Sequence, residues 1–399
     1  MRYAVSIKDA SFSVGRNPPA FDRIVSFDLE GRMIGTYADD ADGPANYRRG
    51  FDNRLIKLVK DAALRNRVVQ RLGEADRARV FEACFAAVNE ALGEAGRTAE
   101  EQRLLEKAAA HDVEALEADA RRFVSIYGDV PILPPDQYRA LVVQATRGCP
   151  FNDCEFCSFY RGCAFHAQTA EEFAAHLDAV RAFFGESLRL RHSVFLGDAN
   201  AVLLPTERLL ERMQQVRERF NVAPPEWDAK AGAAWRRDHP YGLVGFYGFL
   251  DGLTGTRKAV EDYRRLRSAG LQRIYIGAES GCDAVLEALR KPSRREQVVE
   301  TVTMCKAAGV GVGVILLAGL CEDDPAAARE HVEQSTRLID ALKLDRDDLV
   351  YLSPLVRGES DTPRLPPFVD SQLDEMEKRL SRERDGARIV PYDIRGFIY

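Results

Sequence analysis

Beyond residue 137 the apolar positions of the chain alternate between two textures. Short runs rich in β-branched residues occur at 140–146, 193–197, 243–249, 273–277, 310–318 and 349–352, and amphipathic stretches with a helical repeat separate them. The stretch after Thr169 opens on a capping box, Thr169 with Glu172, and sets Phe173, Leu177, Val180 and Phe184 along one stripe. The next begins at Pro205-Thr206 and repeats Leu209, Leu210, Met213, Val216 and Phe220. Such regular alternation predicts an α/β fold over residues 138–355: a parallel sheet with right-handed crossovers, closed in part into a (β/α)6 TIM-like barrel.

The first 137 residues have a different pattern. Strand-like alternation is confined to 3–7 and 23–28, with Glu30-Gly31 as a turn, which predicts one hairpin. From Asn53 to Tyr127 the spacing of Leu55, Leu58 and Val59, then Val80, Phe81, Phe85 and Val88, then Leu104, Leu105, Val113, Leu116 and Phe123 predicts three helices. An N-terminal, mainly helical accessory region is therefore expected at 1–137, ending where Pro131, Pro134 and Pro135 break the chain. Residues 356–399 are expected to form a short C-terminal extension, whose aromatic end, Tyr392 to Tyr399, docks against the body of the protein.

Charge and composition narrow the chemistry. The 399 residues carry 56 Lys+Arg against 62 Asp+Glu, a formal charge of -6, with no basic block to track a phosphate backbone, so nucleic acid is not an expected partner. No apolar signal segment stands at Met1 to Lys8 and no apolar run is long enough for a bilayer, so a cytoplasmic, membrane-free protein is expected. Eight cysteines in such a compartment suit metal binding better than disulfides. Five of them, Cys84, Cys163, Cys282, Cys305 and Cys321, are scattered and read as small core residues.

The other three, Cys149, Cys154 and Cys157, lie within nine residues directly after the first strand-like run. That is the C-terminal end of a barrel strand, where active sites of such barrels are built. Three thiolates are one too few for a closed structural site, whereas an iron-sulfur cluster held by three would leave one iron open to a ligand. A zinc site completed by Cys163 or His166 is the structural alternative. The arginine-rich turn Asn46 to Arg54 and the long connection Asn221 to Tyr241 read either as substrate-side elements or as solvated and salt-bridged seams.

With these motifs in this order on these strands, residues 138–355 resemble the radical SAM superfamily. The resemblance implies that Cys149, Cys154 and Cys157 hold a 4Fe-4S cluster whose fourth iron is chelated by S-adenosylmethionine, with Phe156 as the aromatic residue before the last ligand. The spacing here is C-x4-C-x2-C in place of the common C-x3-C-x2-C, so one extra residue must be accommodated among Pro150 to Asp153. Gly197 and Asp198 stand where many relatives have a Gly-Gly-Glu segment for the methionine amino group. Glu279 and Ser280, in Ile276 to Gly281, match a turn that contacts the ribose and methionine, and Val314 and Leu352 lie on strands that enclose adenine. The same residues have blander readings, Glu279-Ser280-Gly281 as a helix cap near Asp283 and the glycines of 311–319 as packing positions.

The activity implied is reductive cleavage of S-adenosylmethionine to a 5'-deoxyadenosyl radical that abstracts hydrogen from a small-molecule or peptide substrate. It needs a reducing partner such as a flavodoxin or ferredoxin; no further catalytic residue is assigned. The alternative is a zinc-stabilised or iron-sulfur binding and electron-transfer protein without chemistry on S-adenosylmethionine.

Overall fold

The computed structural model of the protein describes residues 3–16, 23–40, 43–59, 68–227, 229–356, 364–382 and 386–399. Its N-terminal part corrects the expectation of one hairpin followed only by helices. Seven antiparallel strands follow one another as neighbours: β1 (Tyr3–Ile7), β2 (Ser11–Arg16), β3 (Arg23–Asp28), β4 (Met33–Asp40), β5 (Gly43–Arg49), β6 (Leu55–Val59) and β7 (Val68–Arg71). Leu55, Leu58 and Val59, spaced as on a helix face, belong to β6, where Leu55 and Leu58 are buried and β5 and β7 supply the backbone partners. Three helices then follow, α1 (Glu74–Leu92), α2 (Ala99–Ala109) and α3 (Val113–Tyr127); α1 is the second of the expected helices, and the third is divided into α2 and α3. Phe12 and Phe27 stack at 5.1 Å on the sheet face and share a core with Phe81, Cys84 and Val88 of α1 and Leu104 and Leu105 of α2.

The barrel strands fall where the apolar runs put them: β8 (Ala140–Gln144), then a two-residue pair, β9 (Thr146–Arg147) with β10 (His166–Ala167), then β11 (Ser193–Gly197), β12 (Phe246–Leu250), β13 (Leu271–Glu279), β14 (Gly311–Ala318) and β15 (Leu349–Pro354). A further parallel strand, β16 (Arg388–Pro391), pairs with β15, so the sheet has seven strands in the order β16-β15-β14-β13-β12-β11-β8. The expected C-terminal extension is thus part of the barrel, through the helix Pro367–Arg382 and β16; its residues 357–363 and 383–385 lie outside the described ones. Helix α4 (Ala170–Phe184) carries the expected capping box, and its stripe Phe173, Leu177, Val180 and Phe184 is fully buried.

The sheet ends at β8 and β16, which do not pair, and an open strand edge needs cover. The hydroxyl of Tyr399 accepts from the Val142 amide at 2.9 Å and lies 3.2 Å from the Ala140 carbonyl, while Tyr127 donates to the Val142 carbonyl at 2.9 Å. The chain end is docked through Tyr399, whose ring also faces the Arg191 guanidinium at 4.1 Å. The long connection Asn221 to Tyr241 precedes β12 and so runs at the opposite end of the strands from the cysteine loop.

Candidate active site

The loop bearing the three cysteines is pinned at its base by the β9–β10 pair. Gly148, at φ +73, passes so near the returning arm that a Cβ there would meet the Ala164 and Cys163 carbonyls at 3.0 and 3.1 Å, which leaves room only for glycine. Within the four-residue spacer Asn152 is left-handed at φ +45, and its side chain donates to the Tyr160 carbonyl at 2.6 Å. Arg161 gathers the Cys154 and Cys157 carbonyls, at 2.8 and 3.2 Å. All three thiols are free, partly buried and on the wall of one cavity of about 440 Å³ at the C-terminal ends of the strands. Burial pushes Cys154 up to about 11 and also raises Cys157; the neighbouring thiolates and Glu279 add to both shifts, and Lys291 opposes them.

This donor set fits an iron-sulfur cluster. Three thiols on one cavity, with no fourth protein ligand among them, are the donor set that leaves one iron of such a cluster open. Cys163 is exposed and His166 is bound to Glu172 at 2.8 Å; neither lines the cavity that would complete a zinc site.

The same cavity is lined by Glu279, buried and at φ +61. Its carboxylate accepts from Lys291 Nζ at 3.0 Å, an ion pair that sequence reading missed because the partners are joined by a turn and a short helix. Gly277 leaves the space that this pair occupies, since a Cβ there would meet both partners. Ser280 points away from the cavity: its hydroxyl contacts His331 Nδ1 at 2.8 Å and accepts from the Cys282 amide at 3.1 Å.

Gly197 and Asp198 also lie behind the wall, whereas Ala199 and Asn200 line it. Both oxygens of Asp198 are engaged, Oδ1 by Gln144 Nε2 at 2.9 Å and Oδ2 by the Gly148 amide at 3.0 Å. Burial raises its carboxyl to about 6 against those bonds. On β14 and β15 the two-residue alternation decides which side chains face inward: Ile315, Leu317 and Ser353 line the cavity, and Val314 and Leu352 pack on the other face. Asn200 and Asp251 form a buried polar corner, with Asn200 donating to Asp251 and, at 3.2 Å, to Thr254.

Part of the cavity lining comes from outside the six expected barrel units. Arg54 and Arg71 reach it from the N-terminal sheet, Asp129 from the linker after α3, and Ile394, Arg395 and Phe397 from the chain end. Arg54 pairs with Asp52 and, at 3.2 Å, with Asp129. Its neighbour in the arginine-rich turn, Arg49, is a buried brace, donating to Asn53 at 2.7 Å and to the Met33 and Leu116 carbonyls.

Residues 143–335 match the family model of the radical SAM superfamily. No curated protein matches the chain. Among solved structures it is similar to coproporphyrinogen III oxidase, HemN, from Escherichia coli, a radical SAM enzyme, at 15% identity and a TM-score of 0.42 over 68% of this chain and 56% of that one. It is similar to methylornithine synthase, PylB, at 16% identity and a TM-score of 0.39 over 70% of this chain and 78% of that one. It is similar also to the cobalamin-dependent S-adenosylmethionine radical enzyme OxsB at 14% identity and a TM-score of 0.36, over 68% of this chain but only 33% of that one, so the chain spans about a third of the OxsB length. Likenesses at this level carry no statement about substrate or reaction.

Proposed function

We propose that the chain is a radical SAM enzyme, as the match of residues 143–335 to that superfamily's model supports, and that Cys149, Cys154 and Cys157 are the ligands of the 4Fe-4S cluster that such enzymes use with S-adenosylmethionine. The observation that carries this is that three free thiols line one cavity at the strands' C-terminal ends together with the Glu279–Lys291 pair. When bound, the cluster and S-adenosylmethionine supply reductive cleavage to a 5'-deoxyadenosyl radical, which abstracts hydrogen from a small-molecule or peptide substrate.

The chain's own residues hold and shield. Arg161 and Asn152 fix the cluster loop through its carbonyls, and Asp198 fixes where it leaves β8. Glu279 and Lys291 offer a carboxylate and an ammonium to the charged methionine end of the cofactor, while Ile315, Leu317 and Ser353 supply the wall for its adenosine. Asp198 and Ser280 act from behind that wall, as supports of Gly148 and of the Glu279 turn. Phe397 and Ile394, with Val69, add apolar lining to the cavity and limit water near a reactive radical. Electrons come from a cytoplasmic donor such as a flavodoxin or ferredoxin, and no helix of the described residues is long and apolar enough to cross a membrane.

The test is anaerobic reconstitution followed by dithionite and S-adenosylmethionine, with a Cys149→Ala, Cys154→Ala, Cys157→Ala variant alongside. About four irons per chain and release of 5'-deoxyadenosine by the wild type alone are expected. Bound zinc, or a cluster without cofactor cleavage under any reductant, would sink the reading.

A further inference from the structure

The segment Leu289 to Lys291, which follows the Glu279 turn and its short helix, grips the cysteine loop at three levels. The Glu155 amide donates to the Leu289 carbonyl at 3.0 Å. Arg290 reaches outward to Asp153 and Glu155, at 3.4 and 3.1 Å. Lys291 turns inward, with its ammonium 5.9 Å from the centre of the Phe156 ring and on the cavity wall beside the thiols. The opposite aim of two consecutive long cations follows from Arg290 itself, held at φ +52, a conformation an L residue adopts only when its surroundings impose it.

We propose that Lys291 is a positioning residue for the electron: a fixed positive charge that raises the reduction potential of a cluster held by Cys149, Cys154 and Cys157. The inference rests on the cluster reading above and goes beyond it, since it concerns how easily the cluster is charged. Adding an electron adds negative charge, which a nearby cation in a water-poor site stabilises strongly. Glu279 sets the limit of the effect. Its carboxylate, 3.0 Å from Lys291 Nζ, offsets part of the ammonium's field at the thiols that share the cavity. The ion pair with Glu279 at 3.0 Å also keeps Lys291 charged, for burial alone would favour the neutral amine.

The test is an EPR-monitored redox titration of the reconstituted full chain without added cofactor, at equal iron content, for wild type, Lys291→Arg and Lys291→Met. Loss of the charge is expected to lower the reduced fraction at fixed poise about tenfold, which is about 59 mV for a one-electron couple. Lys291→Arg is expected to keep the wild-type potential to well within that shift. A Lys291→Met potential equal to or above that of the wild type overturns the proposal. Should Lys291→Met fail to load iron, Glu279→Gln is compared with Glu279→Gln/Lys291→Met, which leaves no buried carboxylate unpaired; equal potentials there overturn it as well. A wild type that binds no four-iron cluster removes the cluster reading itself, and is told apart by iron content alone.

Discussion

The carboxylate of Asp198, at the end of β11, accepts a hydrogen bond of 3.0 Å from the amide of Gly148, the residue directly before the first cysteine of the loop. Burial raises this carboxyl from 3.8 to about 6. The folded chain therefore holds more protons than the unfolded one between those values, and stability falls as the pH rises through that window. A shift of this size is worth on the order of 3 kcal/mol. Asp198→Asn removes the titration, so its stability relative to wild type should improve by about that amount between pH 4 and pH 7. Urea midpoints of both proteins at the two pH values check this; a difference that does not change with pH rejects it.

Gly281 ends the turn that carries Glu279. A Cβ at this position would stand inside 3.0 Å of the Gln334 carbonyl in the helix Pro325–Ala341, and backbone cannot swing aside as a side chain can. The glycine of Glu279-Ser280-Gly281 is thus a packing requirement. Gly281→Ala should destabilise by about 1–3 kcal/mol and move the turn off its helix. Thermal unfolding reads the first effect, and weakened S-adenosylmethionine binding to the reconstituted protein, by equilibrium dialysis, reads the second.

Tyr399 shows why the chain end matters. Its hydroxyl is the partner of the Val142 amide on the uncovered edge of β8, and it lies among Phe51, Phe123 and Phe184. Tyr399→Phe keeps the ring under Arg191 but strands a buried amide, at a cost of about 1–3 kcal/mol. The loss should appear in chemical denaturation as a lower midpoint with the same slope, while a truncation of 396–399 should lose more because the aromatic contacts go too. An unchanged midpoint in Tyr399→Phe would mean that the edge of β8 finds another partner.

The parts of this fold that were legible in the sequence are those where burial acts on both faces of an element. Strands such as Ser193–Gly197 are buried throughout and read as continuous apolar runs. Most of the N-terminal sheet was not legible, because β5, Gly-Pro-Ala-Asn-Tyr-Arg-Arg, buries only every second residue and one of those it buries is the charged Arg49, so no apolar alternation shows. The cysteine loop announced itself through local chemistry. Lys291 and Arg395 could not, since only the packed chain brings them to the same cavity, and the arginine-rich turn left open which of its arginines would reach it. Val314 was expected there from its strand, yet a strand turns over at every residue, and a one-residue choice between Val314 and Ile315 exchanges the two faces.

His331 gives the last prediction, and its sign is opposite to that of Asp198. Nε2 lies 3.0 Å from the Leu317 carbonyl and so carries the proton, which leaves Nδ1 to accept from the Ser280 hydroxyl. Ser280 in turn accepts from the Cys282 amide, so a neutral histidine locks the Glu279 turn from behind. Burial lowers the imidazole from 6.5 to about 4. The unfolded chain then binds the proton first as the solution is acidified: the stabilisation is complete above pH 6.5 and is lost as the pH falls from 6.5 towards 4. The shift corresponds to roughly 3 kcal/mol. His331→Gln should lower the urea midpoint markedly at pH 7.5 and much less at pH 4.5, where the wild type has already lost most of this contribution. A penalty equal at both pH values would show that His331 acts by packing alone and that its protonation does not govern the turn.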